Sequence, residues 1–463
     1  MDHELKFDAE LISRHDRSGP RYTSYPTAVQ FHEGFTETHY RALAESTNEE
    51  PLPRPLSLYI HIPFCTTVCF YCACNKIATK DRSLALPYLD HLYREISMQG
   101  GLFNRDRSVD QLHWGGGTPT FLNDAQMAEL MATTAQHFHL HDNDQGEYSI
   151  EIDPREATAD TIRVLRQLGF NRISLGVQDF NPRVQKAVNR IQSEEQTLEV
   201  MLAARQCGFK SISLDLIYGL PFQTVESFER TLERVISASP DRISVFNYAH
   251  LPTHFKPQRR IDAATLPEPR EKLGILKLTI EQLTAAGYVY IGMDHFAKPD
   301  DELTIAQRDH KLHRNFQGYS THADCDLIGL GITAIGAIGN SYSQNVRSLE
   351  SYYLAIDQGN LPILRGIKLS EDDQLRRKII SELICHFSLD ISRIEQQFKI
   401  DFKAYFASEL HRLVKLAADE LISWDGNKIL VLPKGRLLIR NLCMVFDHYL
   451  PQKHLNTSFS KVI

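Results

Sequence analysis

The chain is 463 residues long, 42% hydrophobic and 24% charged, a globular balance that at about 150 residues per domain allows two to four domains and excludes a disordered chain or a small disulfide scaffold. Lys plus Arg number 51 against 58 for Asp plus Glu, a net charge of -7, so nucleic acid or an acidic bilayer would need a local basic patch. The start, MDHELKFDAEL, lacks the basic-then-apolar order of a signal peptide, and the most apolar stretch, Leu327 to Gly339, is too short and glycine-rich to span a bilayer; a cytoplasmic protein is expected.

Residues 1 to about 50 carry Gly19, Pro20 and the aromatic, turn-prone sequence RYTSYPTA. Such a segment builds no core of its own and is expected to be an N-terminal extension packed over the mouth of the domain that follows. From residue 51, short β-rich runs alternate with stretches of helical period. The runs are Leu56 to Ile62, Val109 to Trp114, Tyr148 to Ile152, Arg172 to Val177, Ser211 to Ile217 and Arg242 to Tyr248. The helices between and after them are Pro87 to Met98, one opened by a capping box of Asn123 and Gln126, Ala159 to Leu168, Glu194 to Cys207, Val225 to Ile236 and Glu271 to Ala285.

Repeated βα units imply a doubly wound sheet or a barrel. The placement of the unusual residues favours the barrel. Cys65, Gly115 to Gly117, Glu151 with Asp153, Gln178, Asp215 and Tyr248 with Ala249 fall near the C-terminal ends of successive strands; a barrel gathers them around one mouth, whereas a doubly wound sheet concentrates function at one switch point. The expected fold is α/β, a partial (β/α)6 TIM-like barrel over residues 51–365. From about Leu369, helices at Glu371 to Cys385, Asp390 to Phe398 and Phe402 to Ala418 lead to a hairpin-like run, Leu421 to Leu432, which makes 366–463 a small, mostly helical C-terminal domain. Helices followed by a hairpin can form a winged helix, but the segment lacks a dense Lys/Arg face, so a structural role is expected rather than DNA binding.

Four of the eight cysteines crowd between Cys65 and Cys74, while Cys207, Cys325, Cys385 and Cys443 are scattered; this reads as one metal site plus background. Cys65, Cys69 and Cys72 have CxxxCxxC spacing directly after the strand ending in HIPF. Three thiolates on one short loop hold three corners of an iron-sulfur cubane and leave one iron for a non-protein ligand. The alternative is zinc, which prefers four tetrahedral ligands. No second CxxC pair is present, and Cys74, one residue beyond Cys72, would be a strained fourth ligand.

With RYTSYPTA, HIPFC, HWGGGTPT, EIDPRE, SLGVQDF and DLIYGLP, the extended motif CxxxCxxCxC resembles the radical S-adenosylmethionine (radical SAM) superfamily and, within it, the oxygen-independent coproporphyrinogen III oxidase (dehydrogenase) family, from about Gly19 into the C-terminal region. A sister group with a similar barrel acts as a haem chaperone, and typically lacks the fourth cysteine, the RYTSYPTA segment and the long tail. All three are present here. A nucleic-acid-modifying radical enzyme would need a basic face that the sequence does not display.

The resemblance implies a 4Fe-4S cluster on Cys65, Cys69 and Cys72 whose free iron chelates S-adenosylmethionine. Its reductive cleavage gives a 5'-deoxyadenosyl radical that removes a β-hydrogen from a propionate; loss of CO2 and one electron leaves a vinyl group. Treated in turn, the ring A and B propionates of coproporphyrinogen III give protoporphyrinogen IX, a step of anaerobic haem synthesis. A second S-adenosylmethionine beside the first, a flavodoxin or ferredoxin as electron donor, and a monomeric state are further implications.

Site residues follow from the same resemblance. Gly116, Gly117 and Thr118 are assigned to the cofactor, although GGGTPT alone is an ordinary strand-to-helix turn. Glu151 and Asp153 alternate with Ile150 and Ile152 and so share one side of a strand end; Glu151 is assigned to the cofactor, while Asp153 before Pro154 equally suits a helix cap. Gln178, Arg190 and Asp215 match polar cofactor positions. Asp215 stands in an apolar strand where an unpaired charge is expensive, and Arg190 alone would read as a solvated helix charge. Tyr59, Tyr71, Ala249 and Ile335, otherwise core residues, complete the cofactor set, and Cys74 with Tyr59 is placed near the reaction. The four substrate propionates call for cations, for which Arg21, Arg308, Lys311 and Arg314 are candidates, each a surface charge if taken singly.

Overall fold

The computed structural model of the chain describes residues 5–322 and 325–450. Contacts gather into two compact units, one of residues 31–268 with 324–368, the other of residues 1–30, 269–323 and 369–463.

In the first unit, strands β1 (Leu56–Ile62), β2 (Ser108–Gly116), β3 (Glu147–Ile152), β4 (Arg172–Gln178), β5 (Ser211–Tyr218) and β6 (Arg242–Asn247) pair in chain order, every pair parallel. The crossover helices are α1 (Ala85–Gly100), α2 (Asp124–His137), α3 (Ala159–Gln167), α4 (Glu194–Gln206) and α5 (Val225–Ala238). Leu58, Ile60, Leu112, Trp114, Ile150, Leu175, Leu214 and Ile243 are fully enclosed, as expected of parallel strands covered by helices. Four helices begin with reciprocal caps, Asn123 with Gln126, Thr158 with Thr161, Ser193 with Gln196 and Thr224 with Ser227. Each cap satisfies orphan N–H groups where the chain turns from a strand end into its helix. The strands and helices therefore lie where periodicity and caps put them, to within a few residues, and the path is an open, partial (β/α)6 barrel.

The sequence reading did not foresee the other side of β1. There β7 (Asp326–Leu330) adds a further parallel strand, followed by antiparallel β8 (Ile335–Ile338), β9 (Ser341–Asn345) and β10 (Ile363–Lys368). The glycine-rich apolar stretch is thus two buried strands in tight contact: a Cβ on Gly329 would lie 2.8 Å from backbone atoms of Ile335. Glu95 of α1 fastens this region. Its carboxylate accepts hydrogen bonds from Gly331 N–H (2.7 Å), the Asn345 amide (2.8 Å) and the Tyr352 hydroxyl (2.6 Å).

The second unit holds the helix Pro269–Ala285, two hairpins (Val289–Gly292 with His295–Ala297 and His313–Asn315 with Gly318–Ser320), and the helices Glu302–Arg308, Glu371–His386, Ile391–Phe398 and Ala407–Ala418. A three-stranded antiparallel sheet of Ser388–Asp390, Lys428–Val431 and Ile422–Trp424 completes the helices-then-hairpin pattern. Residues 1–30 belong here: the Tyr22 hydroxyl donates to Asp447 (2.8 Å), Arg440 donates to the Pro20 carbonyl (2.9 Å), and Arg21 pairs with Asp294 (3.1 Å). Contacts therefore divide the chain differently from the linear scheme of 1–50, 51–365 and 366–463, because 1–30 and 269–323 share a core with the C-terminal helices. Among the described residues no helix is long and apolar enough to cross a membrane.

Candidate active site

The cysteine loop leaves β1 through HIPF. Phe64–Cys65 pairs in parallel with Ile77–Ala78 and closes the loop that carries Cys69, Cys72 and Cys74. The end of β2 seats this entry: Gly117 N–H donates to the Ile62 carbonyl and Thr118 N–H to the Phe64 carbonyl, both at 2.8 Å. A Cβ on Gly117 would stand 2.6 Å from the Phe64 carbonyl oxygen, and one on Gly116, whose φ is +110°, 2.5 Å from the His61 ring. Gly116 and Gly117 are thus required first by the segment that leads into Cys65.

One pocket brings together Cys65, Cys69, Cys72, Cys74, Tyr71, Gly116, Gly117, Thr118, Glu151, Asp153, Gln178, Arg190 and Asp215, with Lys76 and Ser174. Three expected residues do not line it. Tyr59 has its hydroxyl 3.0 Å from His61 Nδ1 and its ring stacked at 5.9 Å on His113, the residue opposite it on β2. Ala249 follows the end of β6, and Ile335 opens β8 opposite Gln344. Of the four suggested anchors, Arg21 is paired with Asp294, Arg308 lies 3.5 Å from Asp309, Lys311 lines a separate cavity, and Arg314 is buried against the Tyr319 ring.

All eight cysteines are free thiols. Thr118 Oγ1 donates to Cys65 Sγ (3.6 Å), and Arg190 and Arg155 direct Nη atoms at Cys69 Sγ (3.6 and 3.8 Å). Burial pushes the Cys65 thiol up to about 11. Cys72 and Cys74 share a hydrogen bond that stabilises the thiolate on Cys72 and holds the proton on Cys74; Lys76, bonded to the Cys72 carbonyl (3.4 Å), deepens the drop at Cys72. Cys74 is the exposed member of the set. An all-thiolate set spread around a shared pocket fits a polynuclear iron-sulfur cluster.

The carboxylates have different employment. Asp153 accepts from Arg190 (2.9 Å) and Arg155 (2.7 Å) and caps the turn at Arg155 N–H, so its charge is spent within the protein. Arg190, 7% exposed, also donates to the Gly176 carbonyl (2.6 Å); it is a buried brace between β4, Asp153 and the cysteine loop, not a solvated helix charge. Glu151 is 47% exposed to the pocket. Enclosure there works to raise it, but His113 (3.4 Å) and Gly116 N–H (3.2 Å) outweigh that and hold it below the usual carboxylate range. Asp215 has hydroxyl partners, Ser174 at 2.8 Å and Ser244, and burial raises it to about 6. Gln178 sits at a bulge with φ +69°, a conformation that L side chains rarely hold. Sequence reasoning missed His61, His113, Lys76 and Arg155. The two histidines were findable, since His61 shares a strand face with Tyr59 and His113 shares one with Gly115 at β2's end.

A cysteine loop at the C-terminal mouth of a parallel partial barrel is the arrangement of radical SAM proteins, and the Radical SAM superfamily model matches residues 59–235. The HemN C-terminal domain model matches residues 369–438. The oxygen-independent coproporphyrinogen III oxidase of Pseudomonas aeruginosa is 55% identical over 99% of both chains, and that of Escherichia coli K12 is 52% identical over 99% of both. The solved structure of the latter, described as a radical SAM enzyme, superposes with a TM-score of 0.91 over 96% of this chain and 100% of its own. The chain belongs to the oxygen-independent coproporphyrinogen III oxidase family of radical SAM enzymes.

Proposed function

We propose that the chain oxidatively decarboxylates the ring A and B propionates of coproporphyrinogen III to vinyl groups without oxygen, giving protoporphyrinogen IX. The observation that carries this reading is the complete four-cysteine pocket in a chain matched end to end by relatives named for coproporphyrinogen III oxidation. In it, Cys65, Cys69 and Cys72 hold a 4Fe-4S cluster and the strand ends hold S-adenosylmethionine, two molecules in all. Bound there, these groups supply reductive sulfonium cleavage and a radical able to abstract hydrogen from carbon.

The chain's own residues bind and orient. Glu151, kept ionised by His113 and Gly116, suits the cofactor's ammonium or ribose hydroxyls. Arg190 and Asp153 fix the loop around Cys69, so that its sulfur is placed before any ligand arrives. Tyr71 lines the loop side of the pocket, and Tyr59, hydrogen-bonded to His61 and stacked on His113, meets the cofactor with Ala249 and Ile335. Cys74, next to Cys72 and bearing the pair's proton, is the group placed to take part in catalysis without being a cluster ligand. Flavodoxin or ferredoxin is the class of electron donor, and the working form is a cytoplasmic monomer.

The test is anaerobic reconstitution with iron, sulfide, S-adenosylmethionine and a strong reductant, followed by addition of coproporphyrinogen III. Vinyl product together with 5'-deoxyadenosine is expected. Stoichiometric haem retention without turnover would identify a chaperone instead.

A further inference from the structure

The second unit contains a side-chain cluster that this chemistry leaves unused. His310 follows the helix Glu302–Arg308, and Glu382 and His386 lie one turn apart on the helix Glu371–His386, where i and i+4 side chains share a face. One ligand atom from each lies within 4.8 Å of the other two. The imidazoles of His310 and His386 are 5.0 Å apart between ring centres.

His386 points to a ligand independently of that proximity. It is 5% exposed, and its Nδ1 is buried with no hydrogen-bond partner, a cost that buried polar groups rarely carry. A backbone hydrogen bond with Gln307 engages the ring, which leaves Nδ1 as the nitrogen to present. Metal-ligating histidines are held in this way, one nitrogen anchored by a carbonyl and the other offered to the ion. Glu382 bonds Lys378 through one oxygen at 2.7 Å, and a carboxylate's second oxygen can still coordinate.

We propose that His310, Glu382 and His386 bind a zinc-class divalent cation. Two imidazoles and one carboxylate suit zinc, cobalt or nickel better than magnesium or calcium, which prefer all-oxygen shells. The site has three protein ligands rather than four. His310 and Glu382 also line a cavity of about 460 Å³ whose walls include Lys311, Lys378, Arg393 and Lys428. The cavity, whose walls also carry Asp309 and Asp390, gives the ion an entry path and room for a water as fourth ligand.

Anaerobically purified full-length protein, dialysed against zinc sulfate with a weak competing chelator, tests this without reference to turnover, so its outcome is independent of the reaction proposed above. His310 is exposed and replaceable without opening the core. The wild type is expected to retain one more zinc per chain than His310→Ala, with affinity at least about tenfold weaker in His310→Ala and in Glu382→Gln and with iron and sulfide contents unchanged. Cobalt loaded in place of zinc should show nitrogen and oxygen ligation, lost in His310→Ala. Equal zinc content and affinity in all three proteins, or sulfur neighbours around the additional ion, would overturn the proposal.

Discussion

Glu95 and Asp215 are both carboxylates enclosed by the barrel unit, and enclosure raises both, to about 7 and about 6. Glu95, fully buried between α1 and β7–β9, receives an N–H, an amide and a phenol, so its lone pairs face donors built into the fold. Asp215 lines the pocket with serine hydroxyls as its side-chain partners. The same chemical group is saturated where it ties elements together, and underserved where the protein leaves space for something else. Saturation of the hydrogen-bonding shell, more than burial or a shifted pKa, separates the structural acid from the ligand-facing one.

The sharpest way to break that contrast is at the pocket. Replacing Cys65, Cys69 or Cys72 by Ser should abolish iron-sulfur absorbance and turnover, whereas Cys74→Ser should keep its iron while activity falls; loss of iron from the Cys74 variant alone would contradict the ligand assignment. Asp215→Asn comes next, with turnover expected to fall by about 100-fold, as for outer-shell groups of metal sites, while the thermal midpoint stays near wild type. If unfolding and activity move together in that variant, Asp215 is structural after all.

Glu95→Gln should do the reverse. An amide offers one acceptor oxygen to a shell of three donors, so chemical denaturation should show a loss of about 1–3 kcal/mol, with kcat of the surviving folded protein little changed. The smallest effect is the pH dependence of that difference. The folded state holds the Glu95 proton up to about 7, against about 4.3 for an unperturbed Glu. Its stabilising contribution is therefore fully present below the unfolded value and is lost as pH rises through the folded one. The advantage of wild type over Glu95→Gln should thus shrink between about pH 5 and pH 8, and unfolding curves at three pH values measure it.

Much of this was legible in the chain. Alternating β-rich runs and capped helices revealed the six barrel strands because parallel strands read as continuous apolar runs and each cap has a local signature. The cysteines, Glu151, Gln178 and Asp215 were found because they stand at strand ends. Arg190 was not readable as a brace, because its partners, Asp153, Cys69 and the Gly176 carbonyl, come from distant parts of the sequence. The place of Tyr59 at the cofactor rests on the family resemblance, since alternation along a strand gives the face of a side chain but not what it touches. β7–β10 escaped for a further reason: β7 and β8 are only five and four residues long, and a glycine interrupts the apolar run of each.

The fit between Gly117 and the Phe64 carbonyl bears on how the protein matures. With only hydrogen occupying that gap, the polypeptide itself moulds the cysteine-bearing socket, and inorganic parts delivered after synthesis find it ready-made. A methyl group at position 117 would therefore injure assembly before chemistry: newly made chains would accumulate as intact but iron-poor protein, whatever amount of iron and sulfide was supplied.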